Sequence, residues 1–129
     1  MSVELWSIAA LAVMLIFVTA IQGCLVPVTQ GLKWGLGSRD EPLERSALQG
    51  RFARVVQNHV EAMLMFVPLM ALAILLDRTS SLTAMAAWLV IAGRTAFIPF
   101  YLFGIFGFRS AAYGVGMTGT LMTAWELFA

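Results

Sequence analysis

The chain is poor in the residues that most soluble chemistry uses. It has one cysteine, Cys24, and one histidine, His59, among 129 residues. A lone cysteine excludes an internal disulfide and any thiolate metal cluster, and a lone imidazole leaves a zinc site short of donors. No metal site is expected. Charge is scarce as well: eight basic and seven acidic residues make up 12% of the chain, about half the share usual in soluble domains. The formal net charge is +1, so there is no basic field to hold nucleic acid.

What fills the chain instead is apolar. Hydrophobic residues reach 60%, against roughly 45–50% in soluble domains. A soluble domain of this length cannot hide so much apolar surface, and the bilayer is the implied solvent. Four apolar stretches, residues 5–26, 55–76, 82–103 and 110–127, predict one all-α domain over residues 1–129, an integral membrane four-helix bundle. The first stretch lacks a basic leader and is longer than a signal core, so it reads as a retained helix. The second helix is expected to begin at Pro42, capped by Asp40 or Glu41, and to run to Leu76, roughly 52 Å at the standard rise. In the fourth stretch, Gly114 and Thr118, Gly116 and Thr120, and Gly119 and Thr123 form closely spaced small pairs suited to tight helix packing in lipid.

Basic residues are unevenly placed. Lys33, Arg39, Arg45, Arg51, Arg54 and Arg109 flank the loops joining spans one to two and three to four, while the other side has only Arg78. The positive-inside rule places those two loops in the cytoplasm and both termini on the opposite side.

The second helix carries polar residues into the hydrocarbon. Arg51, Arg54, Asn58 and Glu61 are spaced three, four and three apart and fall along one side, with Gln57 and His59 on the flanks. His59 reads as a hydrogen-bonded or solvated interfacial side chain rather than a base. If hydrocarbon begins near Val55, Glu61 lies roughly 9 Å inside it. An unpaired carboxylate there costs on the order of 2.5–3.5 kcal/mol, so it must face protein or water. Arg94, mid-span in the third helix, is the expected ion-pair partner. That pair could serve only to fix helix register. Arg109, Ser110 and Tyr113 open the fourth helix, and Tyr101 closes the third on the same side. Such a gathering suits a small zwitterion with extra carboxylates: arginines hold carboxylates, the glutamate holds an ammonium, and the tyrosines stack or donate.

These residues also carry a resemblance. The spacing R-x-x-x-N-x-x-E, here Arg54, Asn58 and Glu61, followed by an apolar run containing Pro68, resembles the second-helix signature of the MAPEG family, membrane-associated proteins in eicosanoid and glutathione metabolism. "RSAAY", with Arg109, Ser110 and Tyr113, is similar to the family's R-S-x-x-Y at the fourth helix, and Arg94 and Tyr101 match in the third. The resemblance implies a homotrimer with glutathione bound between subunits near the cytoplasmic face. It implies that Arg54, Asn58 and Glu61 hold the peptide's charged groups, that Arg94, Tyr101 and Tyr113 complete the cradle, and that Arg109 with Ser110 approaches the sulfur. Phe97 stands where some members have a histidine.

The activity so implied is a glutathione-dependent transferase or peroxidase, acting on a hydrophobic electrophile or lipid peroxide that arrives from the membrane. A non-catalytic membrane protein of structural or ligand-binding role is the alternative. A small multidrug-type transporter fits less well, because the first span has no carboxylate beyond Glu4 at its end.

Overall fold

The computed structural model describes all 129 residues. Five helices follow in order: α1 Val3–Thr29, α2 Leu32–Leu36, α3 Ala47–Leu75, α4 Ser81–Leu102 and α5 Phe108–Phe128. Four are long and match the four expected stretches. The fifth, α2, is a short turn in the first loop that hydropathy did not foretell. Three of the long helices, α1, α3 and α4, are long and apolar enough to cross a membrane. The glycines and threonines of α5 keep it out of that class, although three of its hydroxyls are satisfied locally. Thr118, Thr120 and Thr123 each donate to the carbonyl four residues back, at Gly114, Gly116 and Gly119.

The start of α3 differs from expectation. Ser46, not Asp40 or Glu41, is the cap: its Oγ accepts the Gln49 N–H at 3.2 Å, and Gln49 Oε1 accepts the Ser46 N–H at 2.9 Å. This reciprocal box satisfies two donors that a Pro42 start would have left to the loop. Pro42 is instead part of the folded first loop. Its carbonyl accepts from Gln30 Nε2 at 3.1 Å, and the Glu41 carbonyl accepts from the Trp34 indole at 2.9 Å. The Gln49 side chain also donates to the Leu25 carbonyl and to Thr29 Oγ1, tying the end of α1 to the start of α3.

Similar bonds lock the other termini together. Arg51 Nη1 donates to the Leu102 carbonyl at 3.0 Å, so a residue of α3 caps the end of α4. At the far end Arg78 Nη1 donates to the Leu127 carbonyl, and Thr83 donates to the buried Glu4 carboxyl. The four long helices thus run alternately up and down. α1 packs on α3 and α4, and α5 packs on α3 and α4, leaving α1 and α5 diagonal to each other. Leu11, Phe66, Met70, Ala87 and Val90 form the core between them.

The α4–α5 seam is the tightest. A Cβ built on Gly93 would lie 2.6 Å from the Gly116 nitrogen and 2.8 Å from the Ala112 carbonyl oxygen, and one on Gly119 would lie 2.6 Å from the Ala86 carbonyl oxygen. Of the small pairs read from sequence, Gly116 and Gly119 serve this seam, whereas Gly114 meets open space. Only 24 of 129 residues are buried, and Val13, Ile16, Phe17, Leu64 and Trp88 lie exposed. That much outward apolar surface needs lipid or another chain.

Replacing Gly93 by Ala should cost about 1–3 kcal/mol, because the obstructing atoms are backbone and cannot swing aside. Gly23→Ala, which meets no neighbour, should cost nothing comparable. Reversible unfolding in mixed micelles, followed by helical circular dichroism, compares the two.

Candidate functional site

Arg94 organises the interior of the polar end. It is 2% exposed, and every partner it has is neutral. Its Nε donates to His59 Nδ1 at 3.3 Å, and its Nη1 donates to Asn58 Oδ1 at 2.9 Å. The Phe97 ring lies beneath, with the Arg94 Cζ 4.4 Å from its centroid, and so offers the cation a π face. Nη2 is the one buried side-chain polar atom without a partner.

The expected Glu61–Arg94 ion pair is absent. Glu61 is exposed and accepts instead from Gln57 Nε2 at 2.9 Å. The cause is the rotation of α3. Its inward stripe is Phe52, Val55, His59, Phe66, Met70 and Ala73, all buried. Gln57 and Glu61, one turn apart, therefore share the outward face with Arg54. Gln57 is on the polar face itself, not on its flank. His59, expected at an interfacial flank as a hydrogen-bonded or solvated side chain, is hydrogen-bonded but completely buried. Its Nε2 is 2.9 Å from the Leu11 carbonyl oxygen. A carbonyl only accepts, so Nε2 carries the hydrogen and Nδ1 is left to accept from Arg94. His59 thereby links α1, α3 and α4.

Two adjoining cavities surround this centre. The larger, about 1030 Å3, is bordered by Arg45, Arg51, Arg54, Asn58, Glu61 and Tyr101. The smaller, about 280 Å3, is bordered by Asn58, Phe97, Tyr101, Arg109, Ser110 and Tyr113. Asn58 and Tyr101 belong to both. Tyr101 accepts from Arg54 Nε at 2.9 Å, and its ring lies 5.9 Å from the Arg54 Cζ and 5.1 Å from the Arg109 Cζ. Phe97 stacks obliquely against Tyr101 and Tyr113 at 5.4 and 6.4 Å between centroids.

Of the residues singled out in the sequence, Arg51, Arg54, Asn58, Glu61 and Tyr101 thus meet at one cavity, and Arg109, Ser110 and Tyr113 at its neighbour. Arg94 borders neither; it meets both through Asn58, and the smaller one also through Phe97. Arg51 reaches the first while also bound to the Leu102 carbonyl. Sequence reasoning missed the place of His59 and the contribution of Arg45. For His59 a signal existed: it falls four residues after Val55 and seven before Phe66, in register with the apolar stripe. No group of three or more His, Cys, Asp or Glu side chains gathers to hold a metal ion.

The arrangement puts arginines beside open space with no carboxylate bonded to any of them. Such a surface is ready for an anion, since a guanidinium bonds more strongly to a charged acceptor than to a neutral one. Asn58→Leu should cost about 1–3 kcal/mol of stability by stranding Arg94 Nη1 in a buried position. Glu61→Gln, at an exposed residue not bonded to Arg94, should cost less than about 0.5 kcal/mol. Thermal unfolding of the purified variants in detergent measures both; equal losses would restore the ion pair.

The chain matches the model of the MAPEG family over residues 5–129. No curated protein and no solved structure matches it. The family match spans nearly the whole chain and takes in both cavities and all four long helices. The chain belongs to the MAPEG family, integral membrane proteins of the kind that serve glutathione and eicosanoid metabolism.

Proposed function

We propose that the protein is a membrane-bound, glutathione-dependent transferase or peroxidase acting on hydrophobic electrophiles, built as a homotrimer with four spans per subunit. The observation that carries this reading is the pair of adjoining cavities, in which arginines bonded only to neutral groups face space beside Glu61, Arg109 and Ser110. Glutathione has two carboxylates, one ammonium and one thiol, and the donor set fits it. Arg51 and Arg54 would take carboxylates, Glu61 the ammonium, and Asn58, Tyr101 and Tyr113 would frame the peptide, with Arg94 behind Asn58. The outward-facing Gln57–Glu61 pair supports assembly, because an exposed carboxylate at this depth calls for a polar partner from another copy. The crowd of basic residues at this end supports placing it in the cytoplasm.

The chemistry centres on Arg109 and Ser110. A thiol with an ordinary pKa near 8.5 is largely protonated at neutral pH, and the thiolate is the nucleophile. The Arg109 guanidinium and the Ser110 hydroxyl would stabilise the anion, each unit of lowered pKa corresponding to about 1.36 kcal/mol. With a chlorinated aromatic acceptor, the sulfur–carbon bond forms as chloride leaves and the thiol proton passes to water. With a lipid peroxide, two thiols supply the electrons, giving an alcohol, water and glutathione disulfide. In either case the protein contributes placement and charge.

A binding-only role is favoured by one feature. Phe97, where some family members have a histidine, gives the smaller cavity an apolar wall in place of a donor.

Titrating purified protein with glutathione at neutral pH should raise thiolate absorbance near 240 nm, and Arg109→Ala should reduce that signal at least about tenfold, the equivalent of one pKa unit. Turnover of 1-chloro-2,4-dinitrobenzene should fall in parallel. A thiolate signal without turnover selects the binding role. No glutathione-dependent signal in the wild type defeats both.

A further inference from the structure

The hydrogen bonds around Arg94 form a line whose direction is dictated at every link. It begins at the Leu11 carbonyl, which can only accept, so His59 Nε2 must donate to it. His59 Nδ1 is then an acceptor, and Arg94 Nε fills it. Arg94 has donors only, so its Nη1 requires an oxygen, and Asn58 Oδ1 supplies it. With Oδ1 taken, the Asn58 amide has one possible orientation. Its NH2 is left over, makes no other hydrogen bond in the chain, and belongs to the residue that borders both cavities.

Nothing else in the interior competes for these atoms. His59 is completely buried and Arg94 nearly so. The Phe97 ring closes the underside of the guanidinium. No carboxylate takes part that could reverse a link by changing its protonation.

We propose that His59 is a positioning residue: acting through Arg94, it fixes Asn58 with its NH2 toward the cavities, so that this point of the site admits a hydrogen-bond acceptor and rejects a donor. The inference rests on the thiol-tripeptide reading for its ligand, and the group it selects is a carboxylate, peptide carbonyl or thiolate. An ammonium, which has donors only, would meet two hydrogens at the same point.

Two substitutions separate positioning from scaffolding. His59→Asn keeps an acceptor at the δ position, facing Arg94, and gives up the bond to Leu11. His59→Gln carries its amide one carbon farther out, keeping a donor for the Leu11 carbonyl and giving up the δ acceptor. Glutathione affinity by calorimetry and unfolding in micelles are measured on both. Positioning through Arg94 predicts that His59→Gln, which strands the buried Arg94 Nε–H and so loses stability, also binds about tenfold more weakly. His59→Asn should bind within about threefold of wild type although it too unfolds earlier, because the bond it loses is the one to Leu11 and the acceptor facing Arg94 is kept. If affinity instead follows stability in both, His59 is only scaffold and the proposal is overturned.

Should His59→Asn fail to fold, the resonances of Arg94 and Asn58 in ligand-free His59→Gln decide instead. Should the wild type not bind glutathione, the functional reading fails, and the relay is then judged in ligand-free protein. The Arg94 Nε–H and Asn58 NH2 resonances, identified by their loss in Arg94→Lys and Asn58→Leu, should move in His59→Gln. Unmoved resonances there would overturn the relay on their own.

Discussion

A guanidinium held away from water with no counter-charge is the constraint around which the polar end is arranged. Arg94 would be costly in hydrocarbon or in a bare protein interior. The fold meets the cost with an imidazole nitrogen, an amide oxygen and an aromatic face. Neutral partners satisfy donors without cancelling charge. The positive potential therefore remains available to the adjoining cavities, whereas a Glu61 partner would have quenched it. Arg94 acts on the site from behind, through Asn58 and by its field, rather than by reaching into it.

The helix ends obey a related economy. Carbonyls near helix ends are taken up by side chains from elsewhere in the chain: Leu102 by Arg51, Leu127 by Arg78 and Leu25 by Gln49. Each bond satisfies a terminus and fixes a helix pair with the same atoms. Arg51 carries this arrangement into the site, since the side chain bordering the larger cavity is also the cap of α4. Ligand binding and the closing of that helix end share one residue.

The sequence made the broad architecture legible because hydrophobic length is a strong signal for helices meant for lipid. It made the site legible as a set of residue types, and the two cavities do collect Arg54, Asn58, Glu61, Tyr101, Arg109, Ser110 and Tyr113. What it hid was rotation. Arg51, Arg54, Asn58 and Glu61 look like one stripe on a helical wheel, yet a shift of a few tens of degrees puts Asn58 inward with His59 and Glu61 outward with Gln57. The deciding clue was the apolar stripe opposite, in which His59 replaces an aliphatic side chain. The start of α3 is obscured for a simpler reason. Pro42 and its acidic neighbours imitate a helix entrance, but the reciprocal pair Ser46 and Gln49 begins only four residues farther on.

The backbone contact at Gly93 and Gly116 has a mechanical consequence. With main chains this close, α4 and α5 cannot slide or splay without tearing open a dense seam, and they behave as a single stiff lever. Phe97 and Tyr101 ride on one arm, Arg109 and Tyr113 on the other, so their spacing survives any breathing of the subunit.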